Sequence, residues 1–236
     1  MEARYRGSPL WPILVEVVKS LPLYAEHKAY VRDRVLPEKP DISAEELAAL
    51  LGITLGEAMV LLSELRKSWR EVEEELRRPL PKPKYSYVAA GGTFNEVHHG
   101  HLMLLLTALR VGRKVLIGVT SDEFVKRLGK KHPVKRFDER VKGLRKVLEK
   151  YGWIERCEVK KIDDPYGPTV EDPSIEALVT SPFTYFRAIE INEIRVKKGM
   201  KPLEITVSPL VVAEDGKPVS STRIARGEIS QGGRKV

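Results

Sequence analysis

One stretch, residues 85–106, constrains the fold of this chain more than any other: YSYVAAGGTFNEVHHGHLMLLL. It begins with a short run of β-branched and aromatic residues that ends at Gly91 and Gly92, as a strand does when it enters a tight turn. From His101 onward, apolar residues continue at a length and spacing typical of a buried helix. The stretch therefore predicts a strand, a glycine turn and the start of a helix.

Three of the five histidines of the chain, His98, His99 and His101, lie in this turn. Glycines let the backbone come close to a ligand, and the free N–H groups and dipole of a helix start favour an anion. His98 and His101, directed at that helix start, would donate hydrogen bonds to phosphate oxygens, as phosphoryl or nucleotidyl transfer requires. Two alternatives stay open: half of a metal site, although Cys157 is the only cysteine and no second ligand pair follows, or a structural cluster.

The composition is that of a globular intracellular protein. The chain has 236 residues, 42% of them hydrophobic, which is enough for a sizeable core in one large or two smaller domains. No run of about 18 apolar residues occurs, so we expect no transmembrane helix, and a single cysteine rules out a disulfide framework. We therefore expect a cytoplasmic location. One glutamine, two asparagines and 31% charged residues indicate a thermophilic source.

The net charge of +8 is unevenly distributed. Residues 1–80 hold 12 Lys and Arg against 14 Asp and Glu, a net charge of −2, whereas residues 81–236 hold 29 against 19, a net charge of +10. A positive field suits anionic small molecules and nucleic acid equally, so charge alone does not choose between them.

Residues 1–80 are predicted to be helical throughout and to form a small all-α domain. Helices are expected over residues 10–21 and 23–35, and the patterns Ser43-x-x-Glu46 and Thr54-x-x-Glu57 predict two more helix starts with capping boxes. The last helix is expected to extend from residue 55 to about residue 78. The prolines of residues 79–83 then end the helix and form a stiff linker, which places the domain boundary between residues 80 and 81.

The short turn between the third and fourth predicted helices also fits a DNA-binding helix-turn-helix. Against that role, the candidate recognition helix offers only Arg66, Lys67 and Arg70 among many acidic residues. Nucleic-acid binding is therefore the less favoured prediction. We expect residues 1–80 to form a small bundle that docks on the second domain or mediates self-association through the N-terminal helices.

Residues 81–236 alternate between strand and helix patterns, which predicts a parallel α/β sheet. Strands are expected at residues 85–90, 114–120, 157–162, 176–180 and 203–212. Helices are expected after Ser121, over residues 137–151 and over residues 183–198. In the second of these helices, Arg140 is expected on the solvent-exposed face. The fold class is thus α/β, a Rossmann-like doubly wound parallel sheet of about five strands preceded by a small all-α domain. In such sheets, ligands bind at the carboxyl ends of the strands.

The turn GGTFNEVHHGH resembles the Gly-Thr-Phe-Asp-x-x-His-x-Gly-His signature of the nucleotidyltransferase superfamily. A second motif of that superfamily, Ile-Ser-Ser-Thr-x-Ile, is matched by VSSTRI at residues 219–224. With GVTSDEF, DDPYGPT, TSPFTYFRAIEINEIR and AEDGKPVSSTRIARGEI, residues 85–229 are similar to the archaeal and eukaryotic type of phosphopantetheine adenylyltransferase. The resemblance implies transfer of AMP from ATP to 4′-phosphopantetheine, which gives dephospho-coenzyme A and pyrophosphate, with Mg²⁺ carried by ATP and no metal site on the protein.

The resemblance also implies roles for particular residues. The catalytic residues would be His98, His101, Thr93 and Lys126. The residues that bind ATP and its phosphates would be Gly92, Thr93, Phe94, His101, Ser220, Ser221, Thr222 and Arg223. The residues that bind the acceptor substrate would be Thr93, Lys126, Arg136, Asp164 and Tyr166, with Lys130 as a further candidate for the phosphate-binding cation.

This sequence departs from the family signature at Asn95, where the family has aspartate. The change removes a negative charge close to the phosphates and any metal, so we expect an altered dependence on metal. Because both histidines of the signature are intact, we expect activity to survive. The alternatives are a nucleotidyltransferase for another phosphorylated acceptor, such as a polyol phosphate or flavin mononucleotide, and a nucleotide-sensing DNA-binding regulator. Transferases for such acceptors tend to end in Arg-Thr-x-Gly-Ile-Ser-Thr-Thr, which this chain lacks.

Overall fold

The structure, a computed structural model, describes residues 5–130 and 132–236 and begins with a small helical bundle. Its helices are α1 (Trp11–Lys19), α2 (Tyr24–Tyr30), α3 (Ala44–Leu51) and α4 (Leu55–Leu65), with a π-helical turn at Val31–Val35 and a short helical turn at Leu36–Glu38. Their apolar faces meet in one core, in which Val31, Leu47 and Leu61 have no exposed surface. The helical character predicted for this region is therefore confirmed.

Side-chain caps begin α3 and α4 at the predicted places. At α3 the capping box is complete: the Glu46 N–H donates to Ser43 Oγ at 3.1 Å, and the Ser43 N–H donates to the Glu46 carboxylate at 2.8 Å. At α4 only half of the box forms, because Thr54 Oγ1 accepts from the Glu57 N–H whereas the Glu57 carboxylate contacts His27 Nδ1 of α2 at 2.7 Å. A tertiary contact therefore replaces the local one.

Helices α3 and α4 are bent by 116° relative to each other and form the centre of the bundle. In the described part of the chain, no single helix is long and apolar enough to cross a membrane, and only this bent pair meets the length and composition required. Helix α4 is enclosed on most sides, since six consecutive residues from Glu57 to Leu62 are buried.

The prediction of one helix over residues 55–78 is wrong. Helix α4 ends at Leu65, strand β1 (Arg66–Ser68) follows, and a new helix α5 (Trp69–Arg77) begins. The chain is extended here because β1 pairs in parallel with a strand near the far end of the sequence. Ser68 and Glu71 then form a capping box that starts α5, and the pattern Ser68-x-x-Glu71 is the sequence signal that would have revealed the break.

The second half of the chain forms the predicted five-stranded parallel sheet. Its strands are β2 (Tyr85–Gly92), β3 (Gly112–Thr120), β4 (Cys157–Ile162), β5 (Ala177–Thr180) and β6 (Glu204–Val207), in the order β4-β3-β2-β5-β6. The helices that connect them are α6 (His99–Val111), α7 (Asp122–Arg127), α8 (Phe137–Lys150) and α9 (Tyr185–Lys197). The predicted fold class, a Rossmann-like α/β sheet of about five strands, is confirmed.

The two faces of the sheet are covered by different helices. In β2, Val88 and Ala90 belong to a core that includes α6 and α8, whereas Ala89 between them belongs to a second core with Ala188 and Ile191 of α9. Successive side chains of a strand point to opposite faces, so this division is the one expected for a sheet buried on both sides.

The predicted last strand, residues 203–212, is wrong as a single element. It divides into β6 and β7 (Leu210–Val212), and only β6 belongs to the five-stranded sheet. Pro209 lies at the break and has no N–H for a strand ladder, while the Ser208 N–H donates to the Thr180 carbonyl at 2.8 Å. Strand β7 instead pairs with β1 and leads to the short helix α10 (Ser221–Ala225).

Helix α5 packs with the α/β unit, although it precedes the proline linker. Val72 has no exposed surface and lies in the same apolar core as Leu105 and Leu109 of α6. Glu75 also pairs with Arg110 of α6 at 2.7 Å. The division at residues 80 and 81 stays a prediction, and the apolar core of the α/β unit extends across it.

We predict that Val72→Ala lowers the free energy of unfolding by about 2 kcal/mol, because it leaves a cavity in the core that α5 shares with α6. Val17→Ala is the matched control: the side chain of Val17 is 55% exposed on α1, so its loss should change stability by no more than about 0.5 kcal/mol. Urea unfolding followed by circular dichroism measures both. Equal effects of the two substitutions would contradict the packing described here.

Candidate functional site

The turn between β2 and α6 is held in a strained and specific shape. Phe94 has φ of +51° and, among the described residues, is the one non-glycine with a positive φ. Its side chain is buried, and a Cβ at Gly92 would lie 3.2 Å from its ring, so a larger residue there would press on the ring. Backbone strain of this kind is concentrated at functional sites, where the surrounding structure holds it in place.

The two histidines of the signature stack on each other at the start of α6. The ring centroids of His98 and His101 are 3.9 Å apart with an interplanar angle of 26°, and the Phe94 ring packs against His101 at 4.8 Å. His101 Nδ1–H donates to the Glu96 carbonyl at 3.1 Å, which leaves Nε2 as the free nitrogen of the ring. Both residues therefore lie at the start of α6, where His98 precedes the helix and His101 is in its first turn.

His98 contains a buried nitrogen that lacks a partner. Its side chain is only 7% exposed, and Nδ1 has no hydrogen-bond partner within residues 5–130 and 132–236. An unsatisfied buried polar atom costs about 1–3 kcal/mol. Such an atom at a helix start calls for an explanation, and a bound ligand would supply one.

Both stacked imidazoles are neutral at pH 7. Burial, together with the adjacent His101, lowers the pKa of His98 well below its ordinary value. Burial also lowers the pKa of His101 from 6.5 to about 4, against the smaller opposing effect of its hydrogen bond to the Glu96 carbonyl. His99 faces away from the pair: its ring lies 3.2 Å from the Gln231 carbonyl and 3.8 Å from the Glu73 carboxylate of α5.

The second motif lies beside the first. A Cβ at Gly100 would lie 3.6 Å from the Val219 carbonyl, so the residue before the Ser-Ser-Thr sequence is close to the helix that carries the histidines. Ser220 caps α10 by accepting from the Arg223 N–H, and Ser221 and Thr222 form the first turn of that helix. The tertiary structure thus brings the two motifs together.

Arg223 is engaged with its own neighbourhood. Its guanidinium pairs with Asp215 at 2.5 Å and with Glu228 at 2.9 Å, and it donates to the Pro218 carbonyl at 3.0 Å. These contacts join the helix that carries the Ser-Ser-Thr sequence to the turn between β7 and α10, and phosphate binding by Arg223 stays a prediction.

A cavity of about 380 Å³ opens at the carboxyl ends of the strands and begins at the same glycine turn. Its volume is within the range of about 300–1,000 Å³ that is usual for small-molecule sites. The walls are largely aliphatic, with Leu116, Leu178 and Ile191 among them, and polar residues line the rest. The polar lining comprises Thr93, Thr120, Lys130, Tyr166, Thr169, Thr180, Thr184 and Arg187.

The cationic candidates are placed differently from one another. All three side chains are exposed, and of the three only Lys130 lines the cavity. Lys126 lies in the last turn of α7, and the glycine that ends this helix, Gly129 with φ of +60°, redirects the chain so that Lys130 reaches the cavity. The roles of all three as phosphate-binding cations stay predictions.

Tyr166 and Asp164, the loop candidates, have separate positions. Tyr166 lines the cavity and donates to the Glu190 carboxylate of α9 at 2.5 Å, and Arg187 lies over its ring at 5.5 Å. Asp164 does not line the cavity. Its carboxylate accepts from the Tyr166 and Gly167 N–H groups at 2.8 and 2.7 Å, so it shapes the loop that carries Tyr166.

Arg140, which was predicted to be solvent-exposed, is 1% exposed, so that prediction is wrong. Its guanidinium donates to the carbonyls of Thr93 and Lys135 and to the Asp122 carboxylate, each at 2.9 Å. The helical spacing contains the missed signal, because position 140 falls on the same face of α8 as Phe137 and Leu144.

Asn95 joins the glycine turn to the loop that follows Lys130. Its side-chain amide donates to the Pro133 carbonyl at 3.1 Å and accepts from the Lys135 N–H at 2.7 Å. Glu96, next to it, pairs with Lys135 at 2.6 Å. Both functional ends of the Asn95 amide are therefore occupied by the backbone of residues 133–135.

No group of three or more His, Cys, Asp or Glu side chains is placed to hold a metal ion within the part of the chain that the structure describes. The turn offers backbone N–H groups and imidazoles, which suit phosphate oxygens more than a cation. A divalent cation at this site would depend chiefly on oxygen ligands from a bound molecule.

Comparison with known proteins gives a consistent result. The cytidylyltransferase-like family model matches residues 89–227. The chain is 45% identical over 152 residues to the phosphopantetheine adenylyltransferase of Methanopyrus kandleri, covering 64% of this chain and 96% of that protein. It is 46% identical to the protein of the same name from Methanosarcina mazei, over 62% of this chain and 95% of that protein. It is 47% identical to the protein of the same name from Methanothermobacter thermautotrophicus, over 66% of this chain and 92% of that protein.

We predict that the histidine pair makes the protein less stable as the pH falls from 6.5 towards 4. The folded protein keeps the imidazoles neutral while the unfolded chain binds protons over this range, so protonation favours unfolding. Urea unfolding at pH 7 and pH 5 should show a smaller loss of stability at pH 5 for His98→Asn/His101→Asn than for the wild type. His132→Asn is the control outside the pair. An equal loss in all three proteins would contradict the prediction.

Proposed function

The chain belongs to the cytidylyltransferase-like family and, within it, to the phosphopantetheine adenylyltransferases, and from this premise we propose its reaction. It transfers the adenylyl group of ATP to 4′-phosphopantetheine, which gives dephospho-coenzyme A and pyrophosphate. This is a step of coenzyme A biosynthesis. The cytoplasmic location expected from the sequence is part of the same proposal.

The shared glycine turn is the observation that carries the proposal. Gly91, Gly92 and Thr93 form one end of the aliphatic cavity, and the same turn leads directly to the stacked histidines. Phosphopantetheine has a long, weakly polar arm with a phosphate at one end. An arm in the cavity with its phosphate at Thr93 would present that phosphate to a nucleotide held at the start of α6.

Catalysis in this arrangement consists of positioning and charge stabilisation. The acceptor phosphate attacks the α-phosphorus of ATP in line, and pyrophosphate leaves. Thr93 orients the acceptor, and His98 and His101 bind the α- and β-phosphate oxygens. A bound phosphate raises the pKa of a neighbouring imidazole, since an opposite charge favours the charged form, so His101 Nε2 can take up a proton and donate to the phosphate.

The remaining roles follow from where the structure places each side chain. Ser220, Ser221 and Thr222 would bind the β- and γ-phosphates, with Arg223 holding their turn. The position of Lys130 in the cavity supports it over Lys126 and Arg136 as the cation next to the acceptor phosphate. Gly92 and Phe94 shape the turn, and Tyr166, with Asp164 behind it, lines the acceptor side.

We propose that Mg²⁺ reaches the site bound to the phosphates of ATP. When bound, it neutralises charge on the β- and γ-phosphates and makes pyrophosphate a better leaving group. The imidazole and backbone groups at the start of α6 fit this arrangement, because they would bind phosphate oxygens of ATP and supply no carboxylate ligands to the ion.

The alternatives receive less support from the structure. A DNA-binding role needs an exposed recognition helix. The candidate for that role is α4, and its residues 57–62 are buried in the bundle. Another phosphorylated acceptor, such as a polyol phosphate or flavin mononucleotide, would meet the same histidines. A direct assay with each acceptor distinguishes these alternatives from 4′-phosphopantetheine. Self-association through the N-terminal helices stays a prediction, and the side chains of Leu10, Ile13 and Val17 are exposed on or next to α1.

The test is pyrophosphate release by the purified protein with ATP and Mg²⁺, comparing 4′-phosphopantetheine with glycerol phosphate and flavin mononucleotide. Of these three acceptors, we expect only 4′-phosphopantetheine to give turnover. Removing a group that acts on the transition state should lower kcat by about 100-fold or more in His101→Ala. His99→Ala is the matched control from the same turn and should stay within about threefold of the wild type. Turnover with a different acceptor, or with none, would contradict the proposal.

We also predict that Asn95→Asp keeps activity but shifts the Mg²⁺ concentration that gives half-maximal rate, because it adds a negative charge next to the phosphates. Asn192→Asp provides a close control: Asn192 bridges the N–H and carbonyl of Leu203 at 2.7 and 2.9 Å, the same pattern by which Asn95 bridges residues 133–135. Both substitutions lose one donor and should lower stability by about 1–3 kcal/mol. Identical Mg²⁺ curves for the two variants would disprove the charge effect.

A further inference from the structure

The N-terminal bundle has no part in the mechanism above, and the family model leaves it unmatched because the match begins at residue 89. The bundle nevertheless contacts the wall of the acceptor cavity. Arg32 and Arg34, both in its π-helical turn, lie over the rings of Tyr185 and Phe186, at 5.3 and 4.9 Å from the ring centroids. These two aromatic residues form the first turn of α9.

The π-helical turn has a local cause. Pro37 lacks the N–H that would bond the Asp33 carbonyl in an α-helix, and the Leu36 N–H instead donates to the Val31 carbonyl. Within this turn, Arg32 is held by the Asp33 carboxylate at 2.7 Å while its guanidinium covers the Tyr185 ring. The arginines are therefore presented to α9 by a defined backbone feature.

The opposite face of α9 forms part of the cavity. Thr184, Arg187, Ala188 and Ile191 line the cavity at helical spacings of three and four residues, which places them on one side of the helix. Tyr185 and Phe186 point to the other side, where they meet the bundle. The beginning of α9 is thus enclosed between the bundle and the acceptor cavity.

The start of α9 is held on its other side by Thr184, whose hydroxyl lies 2.6 Å from the Thr180 hydroxyl and 3.0 Å from the Ser181 hydroxyl. The helix itself begins without a side-chain cap, and Phe183 and Phe186 are about half exposed. One turn further along, Arg187 and Glu190 contact Tyr166 across the mouth of the cavity. A displacement of the first turn of α9 would therefore move both the wall and the mouth of the cavity.

We propose that Arg32 and Arg34 are positioning residues for the acceptor, through which the N-terminal bundle holds α9 in the orientation that binds it. This inference rests on the proposed function, since it assigns the cavity to 4′-phosphopantetheine. The nucleotide end of the site, formed by the histidine turn and the Ser-Ser-Thr sequence, lies on other elements. The arginines therefore act on acceptor binding and leave ATP binding unchanged.

The experiment compares Arg32→Ala/Arg34→Ala with the wild type as full-length proteins. Each contact between an arginine and an aromatic ring contributes about 0.5–1 kcal/mol, so the KM for 4′-phosphopantetheine should rise about fivefold to thirtyfold. The KM for ATP should stay within about twofold. Hydrogen–deuterium exchange should show faster exchange over residues 184–191, with no change over the strands of the sheet.

Two further variants separate positioning from general destabilisation. Arg70→Ala removes an arginine–aromatic contact within α5, with Trp69 at 5.1 Å, and should leave both KM values unchanged. Arg32→Ala/Arg34→Lys keeps a cation over the Phe186 ring and should restore part of the acceptor affinity.

Unchanged acceptor KM and unchanged exchange in the double variant would overturn the inference. So would equal rises in both KM values, because that result indicates general destabilisation. A wild-type protein that turns over no phosphopantetheine would overturn the proposed function and the acceptor role together. In that case the exchange measurement still shows whether the bundle holds α9, so the two failures are distinguishable.

Discussion

The buried guanidinium of Arg140 is the interaction on which the site depends most. It joins the glycine turn at Thr93, the loop at Lys135 and the start of α7 at Asp122. A buried cation is tolerated only where acceptors surround it, so these three segments must keep their positions together. Asn95 adds two more bonds between the turn and the loop. The turn that leads to the histidines and the loop that follows Lys130 therefore form one rigid unit.

The histidine pair shows how this rigid unit is suited to an anion. Both rings are neutral because burial disfavours their charged forms, and His98 Nδ1 has no hydrogen-bond partner among the described residues. In the free protein these features destabilise the site. An anion between the start of α6 and the Ser-Ser-Thr turn would satisfy the free donors and favour protonation of the rings. The donors of the site would therefore form their strongest hydrogen bonds only when an anion is bound.

The N-terminal region is attached to the catalytic unit at several separate places. Strand β1 lies beside β7, which leads to the Ser-Ser-Thr turn, and α5 is packed against the helix that carries the histidines. Arg234, near the C-terminus, lies over the Trp69 ring at 4.6 Å, and Arg32 and Arg34 cover the first turn of α9. Each attachment is next to an element that forms part of the site. The residues of the N-terminal region therefore contact elements that carry site residues, although they lie outside residues 89–227, which the family model matches.

The sequence by itself determined the parallel α/β sheet, the helical N-terminal region, the two phosphate motifs and the family. Local periodicity and turn chemistry are sufficient for these features, because a strand, a glycine turn and a helix start leave their pattern in adjacent residues. Periodicity also indicates the burial of Arg140, because position 140 lies on the inner face of α8 together with Phe137 and Leu144.

Only the tertiary structure decided the pairing of residues 66–68 with β7, the division at Pro209 and the position of Lys130, rather than Lys126, at the cavity. Strand β1 exists because β7, far away in the chain, supplies its hydrogen-bond partners, and no local pattern encodes such a pairing. Lys130 reaches the cavity because the chain changes direction at Gly129 and is then held by Asn95 and Arg140. The contact of the bundle with α9 is likewise invisible in the sequence, because it joins side chains that meet only after both units have folded.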